Sequence, residues 1–539
     1  MKLNIYSKQI KLRFEKNKFF DFTKKLLVLS VLIFFLLIPS ALFYGQQNVF
    51  PISNQLDNNL GKIVNKRKAN VHTTIQPYNL NRLKAKGVTI DTFNTNTSID
   101  KQKIDFLSAS KKFFISPIGG ANVGLNFSNS NLNYLASIGL KLQYNVNKKF
   151  GLGIDYRYLV SEQEKYIDSS IYTRNIIPSV GRLGLLNSQK NGMHDVQGYL
   201  AYSPNHFFSF MLGKGNHFWG DGYRSFLLSD NASSYPYFRI ESTFWNVKYT
   251  NLYSYHTDIS SGKAKDKYSA SHHLSWNVTE DINFGLFETV IWSGNDTLIN
   301  RGFDINYINP VIFYRPVEYA QGSNDNSILG LNFKGRLKDD HLFYGQLLLD
   351  EFLLAELRSG KNWWGNKYAI QFGYKNYNLF DNPNLSFLIE RNISRPFTYA
   401  HINGTLNYGH LNQSLAHPLG ANFKETVAIL AYTKNKWSFN EKANFIAYGA
   451  DTSLVSYGGN IYRNYSTRNG DYNHKILQGE THRVFYNEIS ASYTLIEAIN
   501  LKAFASFIVR NDNTKRVHKT DLFFKLGIAT KLWNSYKDF

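Results

Sequence analysis

Residues 213–240 read Gly-Lys-Gly-Asn-His-Phe-Trp-Gly-Asp-Gly-Tyr-Arg-Ser-Phe-Leu-Leu-Ser-Asp-Asn-Ala-Ser-Ser-Tyr-Pro-Tyr-Phe-Arg-Ile, a dense polar and aromatic block. Within it, His217, Trp219, Asp221, Tyr223, Arg224, Asp230 and Arg239 suit saccharide chemistry. Aromatic faces stack on pyranose C–H surfaces, while Asp, Asn and Arg hydrogen-bond hydroxyls and carboxylates. No Gly-Lys-Ser/Thr is present, which excludes a phosphate-binding loop, and glycines at 213, 215, 220 and 222 miss the dinucleotide spacing. Those glycines are expected to serve tight turns. The same composition equally suits an internally hydrogen-bonded loop that plugs a pore.

Other clusters share this character. Arg315 and Glu318, in Tyr314-Arg-Pro-Val-Glu318, are close enough to pair with each other or to meet partners across a lumen. Trp363-Trp364, Arg391 and Arg395 complete the candidate ligand-binding set. His217, His401, His410 and His417 fall in different loops and can converge only in three dimensions. His272 and His273 adjoin on one predicted strand, so they point to opposite faces and are no ligand pair. Asp350, Glu351, Glu318 and Glu390 offer carboxylates for a hydrolytic pair, but nothing in the sequence sets their separation. We therefore expect no catalytic residues, no metal and no cofactor.

The elements that must position these residues are strands. From about residue 133, period-two alternation recurs in segments of roughly ten residues, the length of a tilted membrane-crossing strand. In residues 521–533, Leu522, Phe524, Leu526, Ile528 and Leu532 share one face, with Lys525 and Lys531 on the other. Leu501, Ala503, Ala505, Phe507 and Val509 oppose Lys502 and Ser506; Tyr368, Ile370, Phe372 and Tyr374 oppose Lys367, Gln371 and Lys375. Short turns are expected at 145–149, 203–206, 277–281, 335–339, 376–384 and 433–436, and long loops at 161–194, 213–237, 294–326, 350–366, 391–422 and 449–483. That asymmetry predicts an all-β fold, a transmembrane outer-membrane β-barrel of about 18 antiparallel strands over residues 111–539, its long loops extracellular. Residues 350–358 carry a helical pattern in which Leu349, Phe352, Leu353 and Leu357 share a face and Gly360 ends it, a piece expected to fold into the lumen.

The first 45 residues combine eight basic and two acidic residues with an apolar run from Leu26 to Phe43. They read as a signal peptide cleaved near Gly45-Gln46, with an uncleaved anchor as the rival. Residues 46–110 do not alternate and are rich in Lys, Asn and Thr; a periplasmic N-terminal extension or partial plug is expected, with disorder as the alternative. Zero cysteines among 539 residues exclude disulfides and thiolate metal sites. The net charge of +21 points to lipid headgroups or acidic polysaccharide as partners, and export excludes nucleic acid. The terminal Phe539 fits the aromatic that closes many exported barrels.

Several motifs carry a resemblance: Gly213-Lys-Gly through Asp221-Gly-Tyr-Arg-Ser225, Leu228-Ser-Asp-Asn231, Asn309-Pro through Arg315-Pro-Val-Glu318, Trp363-Trp-Gly-Asn-Lys367 and His417-Pro-Leu-Gly-Ala-Asn422. Over roughly residues 110–539 the chain resembles the capsule assembly protein Wzi family, and within it the gliding-motility RemB-like branch. The resemblance implies an occluded outer-membrane barrel of about eighteen strands that acts as a surface lectin or tether for exported polysaccharide, with a role in motility added by the branch. It also implies a helical periplasmic plug, from which residues 46–110 depart by their poor helical periodicity. The expected function is thus non-enzymatic: surface polysaccharide (capsule or exopolysaccharide) attachment or assembly in the outer membrane of a Gram-negative bacterium, among outer-membrane lipid and lipopolysaccharide. The alternatives are an anion-selective porin, motivated by the inward lysines, and a structural component of a gliding or adhesin apparatus.

Overall fold

Period-two alternation has one geometric meaning when one face of a strand meets lipid and the other meets a lumen. In the computed structural model, which describes residues 49, 52–66, 70–79, 83, 113–147, 149–164, 166–167, 176–177, 181–182, 192–294, 302–309, 325–530 and 534–539, the alternating segments become barrel strands. They are β1 (Phe113–Asn126), β2 (Asn131–Asn145), β3 (Phe150–Glu162), β4 (Gly192–Tyr202), β5 (Phe208–Gly215), β6 (Tyr235–Phe244), β7 (Val247–Asp258), β8 (Lys265–Asn277) and β9 (Ile282–Ser293). The second half is β10 (Asn326–Leu337), β11 (His341–Leu349), β12 (Tyr368–Asn376), β13 (Leu385–Ser394), β14 (Phe423–Lys434), β15 (Trp437–Ala450), β16 (Glu480–Ile496), β17 (Leu501–Asn513) and β18 (His518–Thr530). Each pairs antiparallel with its sequence neighbours, and β1 pairs with β18 from Gly120↔Ala529 to Asn126↔Phe523, closing the ring. The expected eighteen-stranded barrel is therefore the fold, and closure leaves no unpaired sheet edge.

The two faces separate as the sequence requires. Phe372 is 68% exposed on the outer wall, while Lys367 and Gln371 on the opposite parity are fully buried. Leu526 and Phe507 likewise face out, against buried Lys502 and Ser506. All six expected turns join consecutive strands at one end; Trp245-Asn246 and residues 497–500, not anticipated, do the same. Exposed Tyr144, Tyr202, Trp276, Trp437 and Phe439 lie near this short-turn end, an aromatic girdle. The opposite end carries the six long connections together with three brief ones, 127–130, 259–264 and 514–517.

Three expectations are corrected. The helix in the β11–β12 connection, α2, is only Leu354–Arg358; Leu353, Leu354 and Leu357 are exposed, so it lies outside the lumen rather than in it, although Gly360 ends it in a left-handed conformation (φ 66°). Residues 46–110 contain a helix, α1 (Asn54–Val64), whose Leu60 and Val64 are buried. The barrel strands end at Thr530 and not at Phe539; residues 534–539 lie in the lumen, where the Phe539 carbonyl accepts from Arg510 Nε (3.0 Å). The expected signal segment, residues 1–45, lies outside the described residues.

Candidate functional site

The 213–240 block leaves the top of β5, crosses the lumen over residues 216–234 and rejoins the wall at β6. A polar loop can enter a barrel only if the wall satisfies its backbone. Here Gln346 Oε1 accepts from Phe226 N (2.7 Å), and Glu390 accepts from Tyr223 N (2.8 Å) and Arg224 N (3.1 Å). Gly220 and Gly222 were expected in tight turns, but neither has a positive φ. They permit close approach instead: a Cβ on Gly222 would stand 2.3 Å from Glu390 Oε2, and one on Gly220 2.7 Å from Gln346 Nε2.

The seven candidate residues of the block all lie inside the barrel, in several separate groups. Arg224 is 2% exposed and donates to Glu425 Oε1 (3.0 Å) on β14 and to Asp538 Oδ1 (3.0 Å) in the C-terminal tail. Tyr223 Oη donates to Asp538 Oδ2 (2.7 Å), to which Lys442 also pairs (3.1 Å). Burial by itself would raise the Asp538 carboxyl, but Arg224 and Lys442 outweigh it and hold the group far below the usual carboxylate range. Asp230 accepts from Tyr536 Oη (2.8 Å) and Asn534 (2.9 Å); burial dominates there and raises its carboxyl. Trp219 is fully buried, with its ring 5.7 Å from His273 and 5.8 Å from Phe287. Its backbone meets the N-terminal segment in a short ladder, Ile75↔Trp219, and Asp221 accepts from Thr73 (2.5 Å) and Thr74 (2.9 Å) of that segment. His217 is buried against Tyr237, ring to ring at 4.4 Å, and burial pushes its imidazole pKa well down. Arg239, on β6, donates to the Pro77 carbonyl (3.2 Å).

The other candidates separate from this set. Trp363 and Trp364 stand half-buried at the outer mouth, 5.8 Å apart, with the Arg468 guanidinium 4.1 Å over the Trp364 ring and exposed Tyr472 nearby in sequence. Arg395 is buried beneath them and donates to the carbonyls of Trp363 (3.2 Å) and His474 (3.3 Å). Arg391 projects outward from β13. Arg315 and Glu318 lie outside the described residues.

The histidines do not converge on a metal. His417 bonds Glu425 (2.7 Å), His410 accepts from Thr257 N (3.0 Å) and His401 accepts from Asn403 N (3.2 Å); no metal-holding group occurs among the described residues. His272 and His273 point to opposite faces as expected, bonding Asn251 (2.5 Å) and Asn332 (2.8 Å). Asp350 and Glu351 are both clamped by the Lys367 ammonium, at 3.2 and 3.3 Å. Burial raises Asp350 to about 6 against that opposing ammonium.

Sequence reasoning missed the tail residues Tyr536 and Asp538 and the receptors Gln346, Glu425 and Lys442. Glu425, Gln346 and Lys442 lie on the inward parity of their strands, a signal available in the alternation; the tail gives none. Two cavities remain in the lumen. One of about 210 Å³ is lined by Lys141, Asp155, Arg157, Asp195, Tyr199 and Lys214; the other, about 310 Å³, by Lys375, Lys442, Glu488, Ser490, Ser492 and Lys502. Asn534 and Ser535 border both, so the tail stands between them.

With this geometry in hand, the comparison with solved structures is informative about the fold. The chain is similar to Wzi of Escherichia coli, an outer-membrane protein involved in group 1 capsule assembly and a carbohydrate-binding β-barrel, at TM-score 0.58 and 12% identity, over 89% of this chain and 99% of that one. The fold is that of a Gram-negative outer-membrane barrel. Matches to the Pseudomonas aeruginosa protein OccK1 (TM-score 0.42, 9% identity, 77% of this chain and 97% of that one) and to Acinetobacter baumannii OccAB4 (TM-score 0.44, 9% identity, 77% and 96%) are looser. No protein-family model matches the chain, and no curated relative matches it.

Proposed function

We propose that this barrel is a non-enzymatic polysaccharide-binding protein of the Gram-negative outer membrane, acting in attachment or assembly of a capsule or exopolysaccharide. The observation that carries the reading is the outer mouth. There Trp363, Trp364 and Arg468, the last paired with Asp471 (2.5 Å), form an aromatic and polar platform above a lumen crossed by residues 216–234. A half-buried Trp braced by a guanidinium keeps its shape when a sugar stacks on it, which limits the ordering cost of binding. The likeness to a carbohydrate-binding barrel supports the same reading. The seven lumenal residues serve in this view to seat the plug and not to touch sugar, because Trp219 and Arg224 have almost no exposed surface. Residues 46–110 act as a periplasmic extension whose segment 72–79 completes that plug.

The test is retention of glycan, extracted from the surface of the producing cell, on the purified barrel. Trp364→Ala and Arg468→Gln are expected to weaken it by about ten-fold each, and no retention of any native glycan by the wild type sinks the proposal. The RemB-like motifs favour a further role in surface motility: a deletion strain should then spread poorly, and normal spreading argues against it. An anion channel is the second reading, favoured by Lys375 and Lys502 around the lower cavity, and conductance decides it.

A further inference from the structure

Several cations inside this barrel are matched with carboxylates: Arg224 with Glu425 and Asp538, Lys367 with Asp350, Lys442 with Glu488, Lys525 with Glu164; others, such as Arg395 and Lys267, bond amide or carbonyl oxygens. One group on the outside departs from that pattern. On an outward-facing rung near the long-loop end of the wall, neighbours across four strand pairs read Ile393, Lys424, Ala447, Arg483 and Asn513. The next outward-facing rung reads Arg391, Thr426, Phe445, Phe485 and Asn511. Outward parity is set by the burial pattern, since Glu425, Ile446, Val484 and Asp512 alternate with these positions, the first three fully inside. Lys424 and Arg483 are two strands apart, hence about 10 Å, with Arg391 one rung lower on the neighbouring strand. Among the described residues none of the three pairs with a carboxylate; Arg391 donates to Thr426 Oγ1 (2.5 Å).

These cations rim a shallow depression of about 310 Å³ floored by Phe445 and Phe485, whose rings lie 5.0 Å apart. The rung below it reads Ile389, Ala428, Ala443, Asn487 and Val509, apolar but for Asn487, whose amide is tied to the Lys442 carbonyl (3.5 Å). Unpaired guanidinium and ammonium groups at the outer rim, with aromatic then aliphatic surface directly beneath, match the vertical order of an anionic lipid: phosphate above, acyl chains below. We infer that Arg391, Lys424 and Arg483, with Phe445 and Phe485, form a binding site for the phosphorylated headgroup of an outer-leaflet lipid such as the lipid A portion of lipopolysaccharide. The site is on the outer wall, separate from the mouth assigned to glycan, and it does not depend on that assignment.

The test uses the full chain purified in non-ionic detergent, loaded with lipopolysaccharide, washed, and assayed for lipid phosphate per barrel. The triple variant Arg391→Gln/Lys424→Gln/Arg483→Gln is expected to bind about a hundred-fold more weakly, while Lys338→Gln/Lys434→Gln at the short-turn end matches wild type. Heat-modifiable gel mobility reports whether each variant is folded. If the triple variant does not fold, competition on the wild-type barrel decides instead: phosphorylated lipid A should displace bound lipid and its dephosphorylated form should not. Equal retention by the triple variant, equal competition by the dephosphorylated lipid, or displacement by lipid-free acidic glycan each overturns the site. Because Trp364→Ala leaves the wall untouched, it should weaken glycan retention without changing lipid retention.

Discussion

Arg224 and Asp538, 314 positions apart in sequence, meet at 3.0 Å in the buried interior of the barrel and join the lumen-crossing loop to the C-terminal tail. Both side chains are essentially without solvent contact, and Glu425, Lys442 and Tyr223 share the cluster. Removing one member of such a group strands the others, which costs about 3–5 kcal/mol. Arg224→Met should therefore destabilise the folded barrel by about that much in urea unfolding. Because Asp538→Asn removes a charge from the same cluster, the double variant should lose less than the sum of the single changes. Additive losses would show that the two residues do not act together.

The lumenal packing should loosen in mild acid. Burial, helped by nearby Lys367 and Lys267, lowers His401 to about 4 and His410 to about 3 from an ordinary 6.5. When the loop leaves its seat these imidazoles regain the ordinary value, so below pH 6.5 the released state takes up protons that the seated state refuses. The stability of the seat is then complete above 6.5 and falls as pH drops toward 4 and then 3. Protease cleavage within residues 395–422 should rise from pH 7.5 to pH 5, and His401→Gln/His410→Gln should flatten that rise. An unchanged cleavage rate contradicts the account.

Planar-bilayer recordings of the wild type should be closed, because residues 216–234 cross the lumen and the tail residues Asn534 and Ser535 border both of its cavities. Deleting residues 534–539 removes that tail, and Trp219→Ala excavates the fully buried centre of the plug at about 3–5 kcal/mol. Either change should produce openings. A wild-type barrel that conducts anions steadily would instead favour the channel reading.

The N-terminal helix has its own test. A Cβ at Gly61 would lie 2.6 Å from Tyr377 Oη, so Gly61→Val should push α1 away from the β12–β13 turn. Faster proteolysis near residue 65, with the barrel itself still resistant, is the expected result. Equal rates would mean that the helix has room to shift.

The barrel was legible because lipid and lumen impose a period of two on every strand, as Phe372 against Gln371 or Phe507 against Ser506 makes plain. Turn residues marked most of one end, but the two-residue Trp245-Asn246 connection carries no Gly or Pro to announce it. The 213–240 block reads equally as a saccharide site or as an internally hydrogen-bonded plug, and its composition alone cannot choose, since its burial depends on Gln346, Glu390 and Glu425 arriving from strands more than a hundred residues away. Helix α1 was obscured by Asn54, Asn58, Asn59 and Gly61, weak helix formers set among Leu56, Leu60, Ile63 and Val64 at helical spacing. Conversely, Leu353 and Leu357 suggested an inward helix that tertiary placement leaves outside.

Among the pairings of the barrel strands only β1–β18 joins segments distant in sequence, and Phe113 and Thr530 both stand at the short-turn mouth. The barrel that this pairing closes holds residues 70–79, bonded to Asp221, and residues 534–539, bonded to Arg224 and Asp230. Assembly then has two routes: residues 70–79 and 534–539 lie in the nascent cup before the last seam zips shut, or they thread into a barrel already closed.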